Sequence, residues 1–543
     1  MARSGLLILT QPLSHLKSLI PQVVKEASES VSGTLYICLQ PALQDRHVTQ
    51  DSLLQPVLST QEMQMLIRDF YMSGSKVCHT LDIRVLLSHI CPNLSTFQPV
   101  AYSLKKKMSV LLSDSVALQD VWNDDKISLV DVLQTVFKNI SPDIQFQLLN
   151  TNFSQKVTSS QTSLSVLRTF PNVVVGGTFD YLHAGHKLLL NECCLLCDQK
   201  LTVGITDGDR NKKKVLWELI EPYADREKEV VRFVTEVKPG IIMEPVKIFD
   251  AFGPTKTDPN LDCIVVSQET KEGAKMVNEE RLKLGFSQLE VVVIDLIDDV
   301  CHTDDEESKV SSSSIRKRLL GTLLRPLPYR PNIPKTPYRI GVSGGIASGK
   351  SNVCSELEKF GAKIINCDLL GHKAYVKGTD AYHAIIKEFG HSVLDDNKEI
   401  NRRLLGSVVF NDKSKLTTLN SIVWPAIQQL AEEEIEFHRK TGATVVVLEA
   451  AVLIEAGWDS MVHEIWATFV PREEAIRRVV ERNGLSETEA EKRIDSQISN
   501  VERIEKSNVV ICSLWEYEVT RRQVQKAWSL LQDRIKPATQ NKL

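Results

Sequence analysis

The sequence predicts a multidomain α/β protein in which parallel sheets are covered by helices. Residues 166–325 and 338–543 alternate short β-branched runs with longer amphipathic runs, the pattern of strands connected by crossover helices. In each segment a glycine-rich loop joins a predicted strand to a predicted helix. The chain has 543 residues, more than one hydrophobic core accommodates, so several domains are expected.

Two breaks in the pattern set the expected domain boundaries. Residues 151–165 are rich in Ser, Thr and Gln and show little hydrophobic periodicity, which predicts a linker. Residues 325–337 hold prolines too closely spaced for a helix or a central strand, which predicts a stiff connection. The expected domains are therefore 1–165, 166–325 and 338–543, with 326–337 as a proline-rich linker.

Composition and charge exclude several classes of protein. The hydrophobic fraction of 42% and the charged fraction of 25% are ordinary for a globular protein. A net charge of −4 gives no basic surface for nucleic acid, and no apolar run approaches the roughly 20 residues of a membrane span. The cysteines form no disulfide framework. Cys193, Cys194 and Cys197 fall on a predicted helix and are expected to pack it, since a zinc site would need a second pair.

The first 165 residues are predicted to be α/β, with strands at Thr34–Leu39 and Leu81–Leu87, and they show no catalytic constellation. Their role is left open, and a module that binds protein partners is one interpretation. Asp82 and Arg84 are interpreted as an ordinary surface ion pair. Residues 1–20 are either a mitochondrial address or a first strand near Gly5–Thr10, so a cytoplasmic location, a mitochondrial location, or both are expected.

Two motifs in the middle segment predict a nucleotide site. Gly176-Gly177-Thr178-Phe179-Asp180 follows a predicted strand, and His183-Ala184-Gly185-His186 begins the predicted helix 186–197. The glycines allow a nucleotide to approach the strand end closely. His183 and His186 lie one helical turn apart, so both imidazoles can face phosphates at a helix N-terminus, with Gly185 leaving room for adenine or ribose.

A second anion site is predicted near the end of this segment. Residues 310–318 read Val-Ser-Ser-Ser-Ser-Ile-Arg-Lys-Arg, which places hydroxyls and an arginine at a helix start. A flexible serine linker is the alternative, but the amphipathic continuation over Ile315–Leu320 favours an anion cradle. Lys212, Lys213 and Lys214 follow a predicted strand and are either phosphate contacts or a solvated basic loop.

These motifs resemble the signatures of the nucleotidyltransferase superfamily, G-T-F-D, H-x-G-H and I-S-S-T-x-I-R, with Val310 and Ser313 in place of the usual Ile and Thr. The resemblance implies that AMP passes from ATP to a phosphate acceptor without a covalent enzyme intermediate. It implies catalytic roles for His186 and Arg316. The ATP-binding residues it implies are Gly177, Thr178, Phe179, His183, His186, Lys214, Ser312, Ser313 and Arg316.

The C-terminal segment carries a phosphate loop. Residues 344–351 read Gly-Gly-Ile-Ala-Ser-Gly-Lys-Ser between a predicted strand and a predicted helix, the expected setting of G-x-x-x-x-G-K-S. Lys350 is expected to act on the β- and γ-phosphates and Ser351 to bind Mg²⁺. This segment is therefore predicted to bind a nucleoside triphosphate through Gly344, Gly345, Ile346, Ala347, Ser348, Gly349, Lys350 and Ser351.

Two further features suit phosphoryl transfer. Asp368 follows a predicted strand, where it can accept the proton of an attacking hydroxyl, cap the helix Leu369–Lys377, or do both. Arg478 and Arg482 share one face of a predicted helix. That helix is either a lid that closes over phosphates or a surface helix stabilised by salt bridges.

The segment resembles the dephospho-coenzyme A kinases in its phosphate loop, its strand-end aspartate and its Arg402-Arg403 stretch. Asn366-Cys367-Asp368 stands where that family has Asp-x-Asp, and Trp424-Pro425 where it has His-Pro. The pairing of the two segments, over roughly residues 170–535, resembles the bifunctional coenzyme A synthases, in which a phosphopantetheine adenylyltransferase is fused to a dephospho-coenzyme A kinase.

The resemblance implies two consecutive reactions that use ATP and Mg²⁺. The middle domain would convert 4′-phosphopantetheine to dephospho-coenzyme A, and the C-terminal domain would phosphorylate the 3′-hydroxyl of that product. Two alternatives stay open. One is a nucleotidyltransferase for another phosphorylated small molecule fused to another small-molecule kinase. The other is a scaffold with one inactive site. The motif residues are intact at both sites, which argues against that alternative.

Overall fold

The computed structural model describes residues 3–41, 43, 48–78, 80–95, 97–150, 165–409 and 412–536. The chain divides into two compact units, residues 1–315 and 316–543, and each is described by itself. The predicted α/β class with parallel sheets is confirmed, because every pairing between named strands is parallel in both units.

The first unit begins with a five-stranded sheet of order β4-β2-β1-β6-β7. The strands of this domain are β1 (Ser4–Leu9), β2 (Thr34–Leu39), β3 (Val57–Leu58), β4 (Asp82–Val85), β5 (Ile90–Cys91), β6 (Met108–Ser113) and β7 (Ile140–Leu148). Its helices are α1 (Leu13–Leu16), α2 (Ile20–Ser30), α3 (Gln50–Leu53), α4 (Gln61–Val77), α5 (Val116–Asp124) and α6 (Lys126–Val136). Both faces of the central strands are buried, as parallel strands under helices require.

A second five-stranded sheet follows, of order β10-β9-β8-β11-β12. Its strands are β8 (Phe170–Gly177), β9 (Cys197–Thr206), β10 (Ile242–Ile248), β11 (Cys263–Ser267) and β12 (Glu290–Ile294). The helices of this part are α7 (Ala184–Leu196), α8 (Asp209–Lys212), α9 (Tyr223–Val237), α10 (Lys271–Lys283) and α11 (Ser312–Leu319). Apart from the short strands β3 and β5, this order repeats that of the first sheet.

The second unit has a sheet of different order, β14-β15-β13-β16-β17. Its strands are β13 (Tyr338–Gly344), β14 (Lys363–Asn366), β15 (Val445–Glu449), β16 (Glu464–Phe469) and β17 (Val509–Cys512). Its helices are α12 (Lys350–Lys359), α13 (Cys367–Lys373), α14 (Asp380–Phe389), α15 (Arg402–Val409), α16 (Lys413–Lys440), α17 (Arg472–Asn483), α18 (Glu487–Asp495), α19 (Asn500–Glu505) and α20 (Tyr517–Ile535). The phosphate loop joins β13 to α12, at the carboxyl end of the central strand.

The first two domains share a hydrophobic core. One cluster of buried side chains runs from Leu7 and Phe70 of the first domain to Val175 and Phe233 of the second. A main-chain hydrogen bond also joins them, from Leu87 N to Val237 O at 2.8 Å. The first domain is therefore packed against the second as part of one unit.

Several details differ from the sequence predictions. Cys197 begins strand β9, so the preceding helix ends one residue earlier than expected, although all three clustered cysteines are buried. The predicted linker falls on residues 151–164, which lie outside the described residues, and on Ser165. The strand alternative for the first residues is confirmed by β1. In the described parts of the chain, none of the helices is both long and apolar enough to span a membrane.

Candidate active sites

The loop after β8 is held in a strained shape. Phe179 and Tyr181 have φ angles of 51° and 46°, in the left-handed region that side chains other than glycine rarely adopt. Arg226, 1% exposed, donates from Nη1 to Thr178 O at 2.6 Å. Glu221 accepts from Tyr181 N through Oε2 at 2.7 Å. These buried contacts keep the loop in place before any nucleotide binds, and the sequence reasoning did not find either Arg226 or Glu221.

The two motif histidines lie together at the start of α7. His183 caps the helix by accepting from His186 N through Nδ1 at 3.4 Å, and the two rings stack with centroids 3.8 Å apart. Because Nδ1 accepts, a neutral His183 carries its proton on Nε2, where it can donate to a phosphate oxygen. A Cβ at residue 185 would lie 3.2 Å from His183 Cε1, so Gly185 makes room for this imidazole.

His186 is kept neutral. Burial of the ring, and then the charges of Lys214 and Lys187, lower its pKa to about 3. A neutral imidazole can donate one hydrogen bond to a phosphate oxygen. The charge of Lys214 thus acts on His186, and its predicted contact with phosphate stays a prediction. Lys212 forms an ion pair with Asp209 at 2.7 Å.

The serine motif begins helix α11 beside the strained loop. Ser312 Oγ donates to Asp180 O at 3.0 Å, and Ser311 Oγ caps the helix by accepting from Ser314 N at 3.1 Å. Ser313 is in the first turn of the same helix. Arg316 is one turn further on and its side chain is buried. The helix interpretation of this motif is correct, and the phosphate-binding role of its residues stays a prediction.

The phosphate loop has the shape that its sequence predicts. Ala347 and Gly349 have φ angles of 60° and 82°. A Cβ at residue 349 would also lie 2.9 Å from Ser513 Oγ, so glycine is required there by both conformation and space. The loop lines a cavity of about 740 Å³, large enough for a nucleotide. The loop residues named from the sequence line this cavity together with Asp368, Arg478 and Arg482.

Lys350 lies among carboxylates at the base of this cavity. Its Nζ is 2.7 Å from Asp368 Oδ2 and 3.4 Å from Glu449 Oε1. Ser351 Oγ donates to the same Glu449 oxygen at 2.8 Å. Glu449, at the end of β15, was not predicted as a site residue from the sequence. Its position beside Ser351 follows from the parallel pairing of β13 with β15.

One predicted alternative for Asp368 is wrong. The helix is capped by Asn366, whose Oδ1 accepts from Leu369 N at 2.9 Å, and it begins at Cys367 rather than Leu369. Asn366 also donates to Glu449 Oε2 at 3.0 Å, so it orients that carboxylate. Asp368 lies in the first turn with a side chain 46% exposed toward the cavity, which leaves it available as a proton acceptor.

The salt-bridge interpretation of α17 is correct for its outer face, and the lid interpretation stays a prediction. Arg477 forms surface ion pairs with Glu474 and Glu481. Arg478 also pairs with Glu474, through Nε at 2.6 Å. Its other two nitrogens reach the phosphate loop and its neighbour, where Nη1 donates to Ala347 O at 3.2 Å and Nη2 to Ser513 O at 2.6 Å. The helix therefore presents one stabilised outer face and one arginine-bearing face that lines the cavity.

Two polar residues beside the loop were missed from the sequence. Gln497 Oε1 accepts from Ile346 N at 2.8 Å. Arg503 is 1% exposed, and a Cβ on Gly345 would lie 3.2 Å from its Nη1. Its Nε and Nη2 have no hydrogen-bond partner among the described residues. No local motif marks either residue, because both reach the loop from elements far away in sequence.

Comparison with known proteins agrees with this geometry. Three protein-family models match the chain: COASY N-terminal domain over residues 3–125, cytidylyltransferase-like over 174–318, and dephospho-CoA kinase over 338–514. The dephospho-CoA kinase of Geobacter sulfurreducens is 41% identical over 190 residues, which are 35% of this chain and 96% of that protein. The chain belongs to the dephospho-CoA kinase family.

Two further matches fall in the same kinase segment. The dephospho-CoA kinase of Symbiobacterium thermophilum is 37% identical and covers 35% of this chain and 79% of that protein. A solved dephospho-CoA kinase from Campylobacter jejuni is 24% identical over 36% of this chain and 96% of that chain, with a TM-score of 0.27. Membership of this kinase family implies the use of ATP.

The three family matches, in their order along the chain, fit a bifunctional coenzyme A synthase, as the sequence predicted. The chain is therefore a transferase with a cytidylyltransferase-like domain followed by a kinase domain.

Proposed function

We propose that this protein transfers AMP from ATP to 4′-phosphopantetheine and then phosphorylates the ribose 3′-hydroxyl of the resulting dephospho-coenzyme A. The observation that carries the proposal is the cluster of Lys350, Asp368, Glu449 and Ser351 in a kinase-family segment. A cytidylyltransferase-like segment with its own histidine site precedes it on the same chain.

Adenylyl transfer is a displacement at the α-phosphate of ATP. A phosphate oxygen of 4′-phosphopantetheine forms a new bond to that phosphorus, and the bond to the bridging oxygen breaks as diphosphate leaves. His183 and neutral His186 donate hydrogen bonds to the triphosphate, and Lys214 adds positive charge. The protein holds the reactants in line and stabilises negative charge as it develops, without forming a covalent bond itself.

Phosphoryl transfer in the second unit uses the carboxylates around Lys350. Asp368 accepts the proton of the 3′-hydroxyl as its oxygen attacks the γ-phosphate, and ADP leaves. Lys350, which pairs with Asp368 and Glu449, turns to the phosphates when ATP binds. Arg478 and Arg482, on the cavity-lining face of α17, neutralise charge on the transferred group.

The kinase site fits Mg²⁺. Ser351 Oγ and the Glu449 carboxylate are hard oxygen donors 2.8 Å apart beside the phosphate loop, the ligand chemistry that Mg²⁺ prefers. When bound, the ion neutralises charge on the β- and γ-phosphates. Asn366 fixes the second Glu449 oxygen and so holds the carboxylate in a suitable orientation.

The test is mass spectrometry of the products formed from Mg²⁺-ATP and 4′-phosphopantetheine. We expect coenzyme A from wild type, dephospho-coenzyme A from Lys350→Ala, and neither product from His183→Ala/His186→Ala. The histidine variant should still phosphorylate added dephospho-coenzyme A. The control is Lys359→Ala, at the far end of the same helix and exposed, which should behave as wild type.

A different product pattern would contradict one half of the proposal. If wild type phosphorylates dephospho-coenzyme A but leaves 4′-phosphopantetheine unchanged, the cytidylyltransferase-like domain serves another phosphorylated acceptor. If Lys350→Ala still makes coenzyme A, the phosphate loop is not the kinase site.

A further inference from the structure

The charged residues interpreted as a surface pair lie where the first domain meets helix α7, with Arg84 buried and Asp82 half-buried. Arg84, 2% exposed, donates from Nη2 to Asp82 Oδ2 at 2.8 Å and also pairs with Glu236 of α9. Asp82 Oδ1 accepts from Lys187 Nζ at 2.6 Å. The surface-pair prediction is therefore wrong: this network ties strand β4 to two helices of the cytidylyltransferase-like domain.

Lys187 is the residue directly after His186, so the ion pair acts on the first turn of the histidine helix. Burial alone would raise the pKa of Asp82, but the charges of Lys187 and Arg84 outweigh it and hold that pKa well below its usual range. Asp82 is therefore ionised at neutral pH. An ion pair with so little exposure is costly to break, since a partner would be left buried without its counter-charge.

The first domain also contacts α7 one turn further along the helix. Asn191, one turn beyond Lys187, donates to Val85 O at 2.9 Å and to Tyr71 OH at 3.2 Å. Glu192, 1% exposed, pairs with Arg68 Nη2 at 3.3 Å. Lys187, Asn191 and Glu192 of this helix face thus all bind residues of the first domain.

The first domain has the same sheet order as its neighbour but a closed anion site. Thr10 and Gln11 follow β1 as Thr178 and Phe179 follow β8. Their N–H groups donate to the carboxylate of Asp114, which is 7% exposed, at 2.8 and 3.0 Å. A carboxylate of the protein itself therefore accepts from the N–H groups that follow β1.

We infer that the first domain is a positioning element for adenylyl transfer, a non-catalytic partner of related topology that fixes the histidine helix through the contact between Asp82 and Lys187. Asp82 is a positioning residue, because it acts on the site only through Lys187 and the helix. The inference rests on the adenylyl-transfer activity proposed above.

The test compares Asp82→Asn with Asp143→Asn in the full-length protein. Asp143 is an exposed carboxylate of β7 in the same domain, so its replacement removes the same charge without touching α7. We expect Asp82→Asn to lower kcat for dephospho-coenzyme A formation at least tenfold, with KM for ATP changed less than twofold, because the misplaced histidines matter most in the transition state. Asp82→Glu, which keeps the carboxylate, should recover most of that loss.

The kinase reaction on the same chain is the internal control and should keep its rate in every variant. Lys187→Met removes the same contact without leaving a buried cation. It should show the same loss of kcat, and it replaces Asp82→Asn as the test if that variant folds poorly. The inference fails if Asp82→Asn matches Asp143→Asn, or if activity falls only in proportion to the folded fraction measured by circular dichroism. Failure of the proposed function is distinguishable, since wild type itself would then make no dephospho-coenzyme A.

Discussion

Two domains of the first unit share one strand order, but the loops that follow their first strands differ. After β1 the backbone N–H groups of Thr10 and Gln11 donate to the carboxylate of Asp114. After β8 the backbone enters a strained loop that leads to His183 and His186. The sheet determines where a ligand can bind, and the residues after its first strand determine whether one does.

The largest expected effect comes from His186, on the helix that follows β8 in the second domain. We expect His186→Asn to lower kcat for adenylyl transfer about 100- to 1000-fold, the usual cost of losing one donor to a developing charge. The kinase rate should not change. Both rates are measured on the same protein by following dephospho-coenzyme A and coenzyme A separately.

His15 provides the matched control in the first domain, since it lies on the helix that follows β1. His15→Asn should keep the wild-type rate of adenylyl transfer. A loss comparable with that of His186→Asn would mean that the first domain also contacts the substrate, and the contrast between the two domains would then be wrong.

The next effect concerns the strained loop. Arg226→Met removes donors from Thr178 O and Glu221 O, at 2.6 and 2.8 Å, and leaves buried carbonyls unsatisfied. We expect kcat for adenylyl transfer to fall about 10- to 100-fold, since the loop can then relax from its left-handed conformation. Steady-state kinetics measures this beside Arg232→Met, on the same helix but paired with Glu229 of that helix. Equal rates in the two variants would show that Arg226 does not hold the loop.

A smaller effect is expected from opening the closed site of the first domain. Asp114→Ala leaves Thr10 N and Gln11 N without an acceptor, so the free energy of unfolding should fall by about 1–3 kcal/mol. Adenylyl transfer by the folded variant should keep its kcat. Added inorganic phosphate should raise the melting temperature of the variant more than that of wild type, because the freed N–H groups can bind it. An unchanged stability would show that Asp114 is not needed there.

The sequence predicted the elements whose signals are local. Glycine spacing, strand–helix alternation and the H-x-G-H and phosphate-loop motifs located both sites. Nothing in the sequence indicated that the first two domains repeat one sheet order, because burial of parallel strands constrains only hydrophobicity and leaves the individual residues free. The repeat became visible only in the pairing of strands.

The missed site residues share one cause. Arg226, Glu449 and Arg503 act through contacts between elements distant in sequence, and each resembles an ordinary charged residue of a helix or strand end. The prediction for Asp82 and Arg84 was wrong for the same reason. The alternation of polar and apolar residues along a strand does not show whether a second domain covers it. Register and domain packing, which local patterns do not encode, decide the role of such residues.

The smallest expected effect comes from a comparison of two histidines, His89 and His186, whose pKa values are both lowered by burial. His89, in the first domain, is fully buried, with Nε2 2.8 Å from Leu39 O and Nδ1 2.8 Å from Tyr102 OH. Burial lowers its pKa to about 4. His186 is neutral too, but its ring stacks on that of His183 at the start of α7. One histidine has both ring nitrogens bonded inside its domain, and the other belongs to the motif that we propose binds phosphate.

The difference predicts a pH dependence of stability for His89. Between about pH 6.5 and 4, His89 is protonated in the unfolded chain but neutral in the folded domain. Its contribution to stability is therefore fully present above about pH 6.5 and is lost as the pH falls. We expect the contribution of His89 to drop by about 1.4 kcal/mol between pH 8 and 5.5, one pKa unit of linkage. Denaturant unfolding of wild type and His89→Gln at both pH values measures it, and the variant should lose less stability by that amount. An equal loss in both proteins would show that His89 takes up its proton in the folded state. Burial would then not keep His89 neutral, and the comparison with His186 would be wrong.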